Sequence, residues 1–307
     1  MSRRVARQII VVFVCLFALQ WTSEARAHGV TLKIHHFLRE DSPFHTRFLL
    51  PWKEKLEKDS NGYLRIQVYP AMQMGGNPSQ LYDQVKDRTA DIIWTSVGYD
   101  AWRFPAFEVF NLPLMTNSTS GLNRALWEYV QMHSLTKKEF AGVRLLAVHV
   151  STVRSGDKAG MLPEDDLRLP VLHSNIFIFA MNSETFMGLS DELKNVIRAN
   201  SGAETSAWLG KILDDGQASG NKLTGGESGA PAAELALWQR RAERTIENRI
   251  RELDQRGLNG KELVESARAL IAEHDPPKEV RRRAQVQKNP AVPGGPDFDQ
   301  PDPFLHR

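Results

Sequence analysis

Few residues in this chain are typed and spaced for chemistry, and most of them fail a simple geometric test. His35-His36 looks like a metal pair, but neighbouring residues of a strand point to opposite faces and cannot chelate one ion. No H-E-x-x-H or related zinc spacing occurs. Gly225, Gly226 and Gly229 suggest a phosphate loop, yet no strand precedes them. The acid pairs Asp165-Asp166 and Asp214-Asp215 sit in polar, turn-like or helical-surface contexts and read as solvated. No G-x-S-x-G elbow, nucleotide-type glycine set or kinase-like motif appears. What remains is a binding surface. Trp94-Thr95-Ser96 leads into Val97-Gly98-Tyr99, a loop mixing hydroxyls, glycine and aromatics at the end of a strand. Such a mixture suits a small ligand held by shape and a few polar groups. No cofactor and no metal are expected, and the chain reads as a binder, not an enzyme.

The elements that would position this loop are legible in the pattern. Leu64, Ile66 and Val68 alternate with Arg65 and Gln67 as a strand does. Gly75-Gly76-Asn77-Pro78 then turns the chain. Ser79 to Lys86 predicts a short amphipathic helix with Leu81, Tyr82 and Val85 on its apolar side. Asp91 to Thr95 predicts a buried strand. Strand, helix and strand make a βαβ unit, and ligands of such sheets sit beyond the carboxyl ends of the strands.

Upstream, Arg3, Arg4 and Arg7 precede the apolar run Ile9–Leu19 and the small-residue site Ala25-Arg26-Ala27. That is the layout of an export signal, cleaved after Ala27, and the run is shorter than the ~20 residues a spanning helix needs. Cys15, the single cysteine of the 307 residues, lies in this segment, so the mature chain has no thiol chemistry. A net charge of +2 without basic-aromatic interleaving argues against nucleic-acid binding.

Thr31 to Phe37 predicts the first strand, and Pro43 to Asp59 a helix with Phe48, Leu49, Trp52 and Leu56 inward. Asn61-Gly62 supplies its stop. Thr116 to Thr119 reads as a polar turn and cap, Gly121 to Phe140 as helix and Val143 to Val150 as a buried strand. Ile176 to Asn182 predicts another strand, Ser190 a helix cap and Ser201 to Asp215 a helix. Pro231 to Leu253 and Glu262 to Ala272 predict two more helices, and the Pro-rich charged segment from Pro276 a disordered tail.

The order of several motifs resembles the TRAP transporter solute-binding proteins of the DctP type: Tyr69-Pro70, Gln73-Met74-Gly75, Ala90-Asp91-Ile92, Phe104-Pro105 and Leu112-Pro113. Arg88 stands where that family usually has glycine. The resemblance implies an α/β, periplasmic-binding-protein-like (type II) fold whose two lobes close over an organic acid and hand it to membrane permease subunits. It places solute contacts at Phe37, Gly76, Trp94, Thr95, Ser96 and Tyr99. It also implies a second-lobe arginine that clamps the solute carboxylate. Residues 151–172 are too short and proline-broken for that lobe, and neither Arg154 nor Arg168 sits in a matching context. The expected organisation is therefore a signal peptide (1–27), a near-complete first lobe (28–150), a divergent remnant of the second (151–173), a return segment of the first (174–200), C-terminal helices of the second (201–275) and a tail (276–307). The first lobe is near complete and the second truncated. The partners expected are a small carboxylate solute and the permease subunits, with no nucleic acid. Another class is an exported single-lobe interaction or sensor protein, which an exposed apolar docking patch would favour. A periplasmic enzyme on this fold would need an acid–base pair that the sequence does not offer.

Overall fold

The computed structural model describes residues 29–113, 115, 121–154, 171–220 and 232–274, with the backbone alone at 152–154, 171–173, 214–220 and 232–235. The export signal with Cys15, the turn at 116–119, the pair Asp165-Asp166, Arg168, the glycines 225–229 and the tail from 276 lie outside those residues. So do the side chains of Arg154, Asp214 and Asp215.

Five strands form one sheet in the order β2-β1-β3-β5-β4: β1 (Val30–His36), β2 (Leu64–Tyr69), β3 (Ile92–Ser96), β4 (Val143–Arg154) and β5 (Val171–Asn182). β1 pairs in parallel with β2 and β3, through Ile34 opposite Val68 and Ile92. This joins the two strands of the expected βαβ unit through a third. β5 then runs antiparallel to both β3 and β4.

β3, β4 and β5 are largely buried on both faces and read as near-continuous apolar runs, whereas the edge strand β2 alternates, with Arg65 and Gln67 exposed. One face carries Leu32, Ile34, Ile92, Phe179 and Met181 under helix α1 (Leu50–Asp59), which contributes Trp52 and Leu56. The other carries Ile93, Val148, Ile178 and Ala180 under α2 (Leu81–Lys86) and α3 (Leu122–Met132). After β5 come α4 (Ser183–Met187), α5 (Asp191–Ala199), α6 (Ala203–Gly220), α7 (Ala232–Gln255) and α8 (Gly260–His274). Helices α6 and α8 both pack on α3, and α7 on α8. These helices lie against the core on one face of the sheet, where Ile246, Leu253, Val264 and Ile271 are buried.

β4 is an edge strand, and an open edge invites pairing with other chains. Here the edge is occupied. Gly202 N–H donates to the Leu146 carbonyl at 2.7 Å, and Val148 N–H donates to Ser206 Oγ at 3.0 Å. Val150 N–H donates to Asn123 Oδ1 at 2.8 Å.

Several boundaries differ from the sequence expectation. β4 continues four residues past Val150 and β5 begins at Val171, because Ser151–Val153 pair with His173–Asn175 across the hairpin. The helix expected over 121–140 stops at Met132, and Ser134 takes a left-handed φ of 52° before a short 3-10 turn. The expected helix over 43–59 begins as a π-helical turn, Phe44–Leu49. Pro51 lacks the N–H that a regular turn there would require.

Arg88 has a φ of +61°. That accounts for glycine being the family's usual residue here, since a left-handed L-residue costs roughly 1–2 kcal/mol. Among the described residues it forms one ion pair, an exposed one with Glu184 at 3.4 Å, worth little. Arg88→Gly is therefore expected to raise stability by about 0.5–1 kcal/mol, the relief of strain exceeding the added chain entropy. A urea unfolding midpoint equal to or below wild type would refute this.

Candidate ligand-binding face

The carboxyl ends of β1, β2 and β3 lie together at one pole of the sheet, as the parallel register requires. Phe37 follows β1 directly and is half-buried. Its ring meets that of Tyr99 edge to face, with centroids 6.0 Å apart. Tyr99 is 47% exposed and belongs to the 3-10 turns Val97–Arg103 that follow β3. Asp100, with φ −135° and ψ 45°, breaks those turns, so the segment is a folded corner and not the open loop that the sequence suggested. Phe37, after β1, and Tyr99, after the neighbouring parallel strand β3, are thus brought together at one pole.

Gly76 lies in the turn after β2 with φ +84°. A Cβ there would stand 2.8 Å from Gln84 Nε2 and 3.0 Å from Gln80 Oε1, so the glycine is required by both backbone and neighbours. The turn is tied to the sheet by His35. Its Nδ1 is 2.6 Å from Gln84 Oε1, and its Nε2 accepts from Met74 N–H at 3.3 Å. Since Nε2 accepts, the ring proton sits on Nδ1 and is donated to Gln84. Gln84 Nε2 in turn donates to the Gly75 carbonyl at 3.0 Å. Asn77 caps the next helical turn, with Gln80 closing the reciprocal bond.

The three β3 positions behave differently. Thr95 is buried and its hydroxyl donates to the Pro78 carbonyl at 3.2 Å, which fastens the turn. Ser96 Oγ accepts from Gly98 N–H at 3.2 Å and caps the corner. Trp94 is only 1% exposed. It is stacked on Phe44 at 4.3 Å and on Phe177 at 5.4 Å with rings 5° from parallel, and His149 lies 6.4 Å away. Its Nε1 is buried without a hydrogen-bond partner among the described residues.

Sequence reasoning did not anticipate this aromatic layer. Phe177 does alternate with Phe179 along β5, which places both on the Trp94 face, but His149 and Phe44 arrive from elsewhere in the chain. The His35-His36 pair is divided as strand geometry demands. His36 Nε2 lies 3.0 Å from His45 Nδ1, while His36 Nδ1 is buried and unpartnered. Burial, with the neighbouring imidazoles, pushes His36 down to about 3. Burial alone does the same to His149, also to about 3. His149 Nδ1 faces the Asn123 amide donor at 3.3 Å, so its ring proton sits on Nε2. Among the described residues no group of three or more His, Cys, Asp or Glu is placed to hold a metal ion.

A cavity of about 540 Å³ lies behind the corner, lined among others by Arg103, Glu139 and Arg256. Glu139 accepts from Ala106 and Phe107 N–H at 2.7 and 3.2 Å, yet burial pushes its carboxyl up to about 7. None of the six expected contact residues lines this cavity.

Comparison with known proteins matches this arrangement. The DctP profile, bacterial extracellular solute-binding protein family 7, matches residues 34–158. A TRAP solute binding protein from Rhodoferax ferrireducens, solved with copurified benzoate, has a TM-score of 0.70 at 29% identity, covering 82% of this chain and 99% of that one. A marine metagenome TRAP solute binding protein with 3-hydroxybenzoate has a TM-score of 0.69, also at 29% identity, covering 80% and 99%. The outer membrane transporter protein TsaT of Comamonas testosteroni is 25% identical over 126 residues, 41% of this chain and 37% of that protein. The match thus spans well under half the length of that curated relative. With the parallel β1–β2–β3 core and the βαβ corner, the profile match makes residues 34–158 of this chain similar to the DctP family of bacterial extracellular solute-binding proteins.

Proposed function

We propose that this chain is the exported, solute-binding component of a TRAP-type transporter, taking a small aromatic carboxylic acid and delivering it to membrane permease subunits. The observation that carries the reading is the Phe37–Tyr99 edge-to-face pair at the carboxyl end of β1 and β3, in front of a corner built from Gly76, Thr95 and Ser96. An exposed ring beside a half-buried one offers an aromatic ligand both a face and an edge, a geometry worth about 0.5–1.5 kcal/mol beyond area burial. The solved relatives that hold benzoate and 3-hydroxybenzoate support this class of solute. In this reading Phe37, Tyr99 and Ser96 touch the solute, and Gly76 and Thr95 fix the turn beside it. Trp94 forms the floor, one layer down. Export follows from the signal preceding Ala27, with cleavage after that residue. The chemistry is binding and release without bond making.

The second lobe is proposed to be reduced to the extended β4–β5 hairpin, without the arginine clamp. Loss of a buried charge partner costs on the order of 2–5 kcal/mol, so affinity is expected well below that of a two-lobed receptor. Calorimetric titration with benzoate and with succinate tests both statements. Benzoate is expected to bind and succinate to bind more weakly. Tyr99→Ala, at an exposed position, is expected to leave the unfolding midpoint unchanged and weaken benzoate by about tenfold, or ~1.4 kcal/mol. No heat from either acid at millimolar concentration, or an affinity unaltered by Tyr99→Ala, would remove the proposal.

A further inference from the structure

At the opposite pole of the sheet, two arginines share one aromatic ring. Arg144 is the second residue of β4, opposite Met181 in the β5 register. Arg198 is in the last turn of α5. The Arg144 guanidinium lies 4.3 Å from the ring centroid of Phe186, on α4, and the Arg198 guanidinium 5.4 Å from the same ring. Phe186 itself is buried, so the ring fixes both cations in place.

Among the described residues neither cation has a counter-ion. Arg144 Nε is buried with no hydrogen-bond partner, and among the described residues Arg144 forms no ion pair. Arg198 donates only to Asn195 Oδ1, at 2.8 Å. The carboxylate of Glu184, two residues before Phe186, is engaged by Arg88 at 3.4 Å. Desolvation, and then the charge of Arg198, lower the Arg144 pKa from its ordinary value, with no acidic group acting against them. Two like charges held together and partly desolvated are costly unless an anion joins them.

We propose that Arg144 and Arg198, seated on Phe186, form a binding site for a phosphate-type oxyanion, separate from the solute-binding face. Guanidinium forks match the spacing of phosphate oxygens and bind them in pairs. The site is at the far end of β5 from that face. Met181, opposite Arg144, and Phe177, opposite Ser96, are four residues apart, about 13 Å along the strand. The phosphate can be a free ion or a phospholipid headgroup, and the two sources are separable.

The test uses the full chain, with inorganic phosphate followed by calorimetry and thermal shift against sodium chloride at equal ionic strength. Wild type is expected to bind phosphate beyond the chloride control. Arg198→Gln, at an exposed position, is expected to weaken it at least ~tenfold. Arg144→Lys keeps the charge but loses the fork, and is expected to weaken it measurably. Tyr99→Ala is expected to bind phosphate like wild type, which separates this site from the solute face. Co-sedimentation with phosphatidylglycerol vesicles, lost in Arg198→Gln, would identify a headgroup as the source; phosphate binding without vesicle binding would identify the free ion. Absence of both in wild type, or binding equally strong in Arg198→Gln, would overturn the proposal.

Discussion

Lowering the pH from 7.5 to 5 is expected to cost this protein on the order of 2 kcal/mol from each of His36 and His149, a loss that protonation of the Glu139 carboxyl, raised to about 7, offsets in part. Both imidazoles are buried, and both are pushed from 6.5 to about 3. A depressed folded-state value means that the unfolded chain takes up protons first. Stability is therefore full above about 6.5 and is lost as the pH falls from there towards 3. The surroundings offer no rescue. The charges of His45 and, from the other face of the strand, His35 disfavour a cation at His36, and only a backbone hydrogen bond at Leu38 favours it. His35 and His45 are themselves lowered, chiefly by burial, and add to the same trend. Urea unfolding of wild type and His149→Gln at the two pH values measures the effect, and the variant is expected to lose about 2 kcal/mol less on acidification than wild type. The same pH dependence in both proteins would show that the His149 ring is not held neutral.

Replacing Trp94 by alanine is expected to destabilise the fold by about 3–5 kcal/mol. The ring is closed in between Phe44 and Phe177, and nothing on this side of the sheet can collapse into the space, since Phe44 is itself braced by Phe48 and Phe179. Trp94→Phe is expected to behave differently. It removes a buried N–H that has no partner, and relief of an unsatisfied donor, worth about 1–3 kcal/mol, offsets most of the lost volume. Its stability should therefore lie within about 1.5 kcal/mol of wild type. The pair of variants also reports on the floor role proposed for Trp94. Undiminished benzoate binding by Trp94→Phe would mean that the indole N–H plays no part in recognition. A cost below 1 kcal/mol for Trp94→Ala would place the ring outside the core.

The chain's local patterns determined much of this protein by themselves. The alternation in 64–68, the apolar run at 91–95 and the Gly-Pro turn between them specified the βαβ unit, because side-chain period and turn chemistry are local properties. The divided roles of His35 and His36 followed from strand geometry alone. The ordered Tyr-Pro, Gln-x-Gly and Phe-Pro motifs carried the resemblance to the DctP-type proteins, and Arg88 was visible as a departure, though its left-handed backbone was not.

Other features needed the folded chain. The antiparallel return of β5 between β3 and β4 sets Phe177 over Trp94, and no local pattern encodes a pairing 83 residues apart. The extension of β4 and β5 into 151–154 and 171–175 escaped notice because Ser, Thr and His read as polar loop until a partner strand satisfies their backbone. The helices over 203–274 showed their apolar faces in sequence but not what those faces cover. Meeting of Arg144 and Arg198 on one ring likewise depends on β4, α4 and α5 converging. Periodicity fixes which side of an element is buried; only long-range packing decides against what, and that choice placed both the Phe37–Tyr99 pair and the two arginines on Phe186.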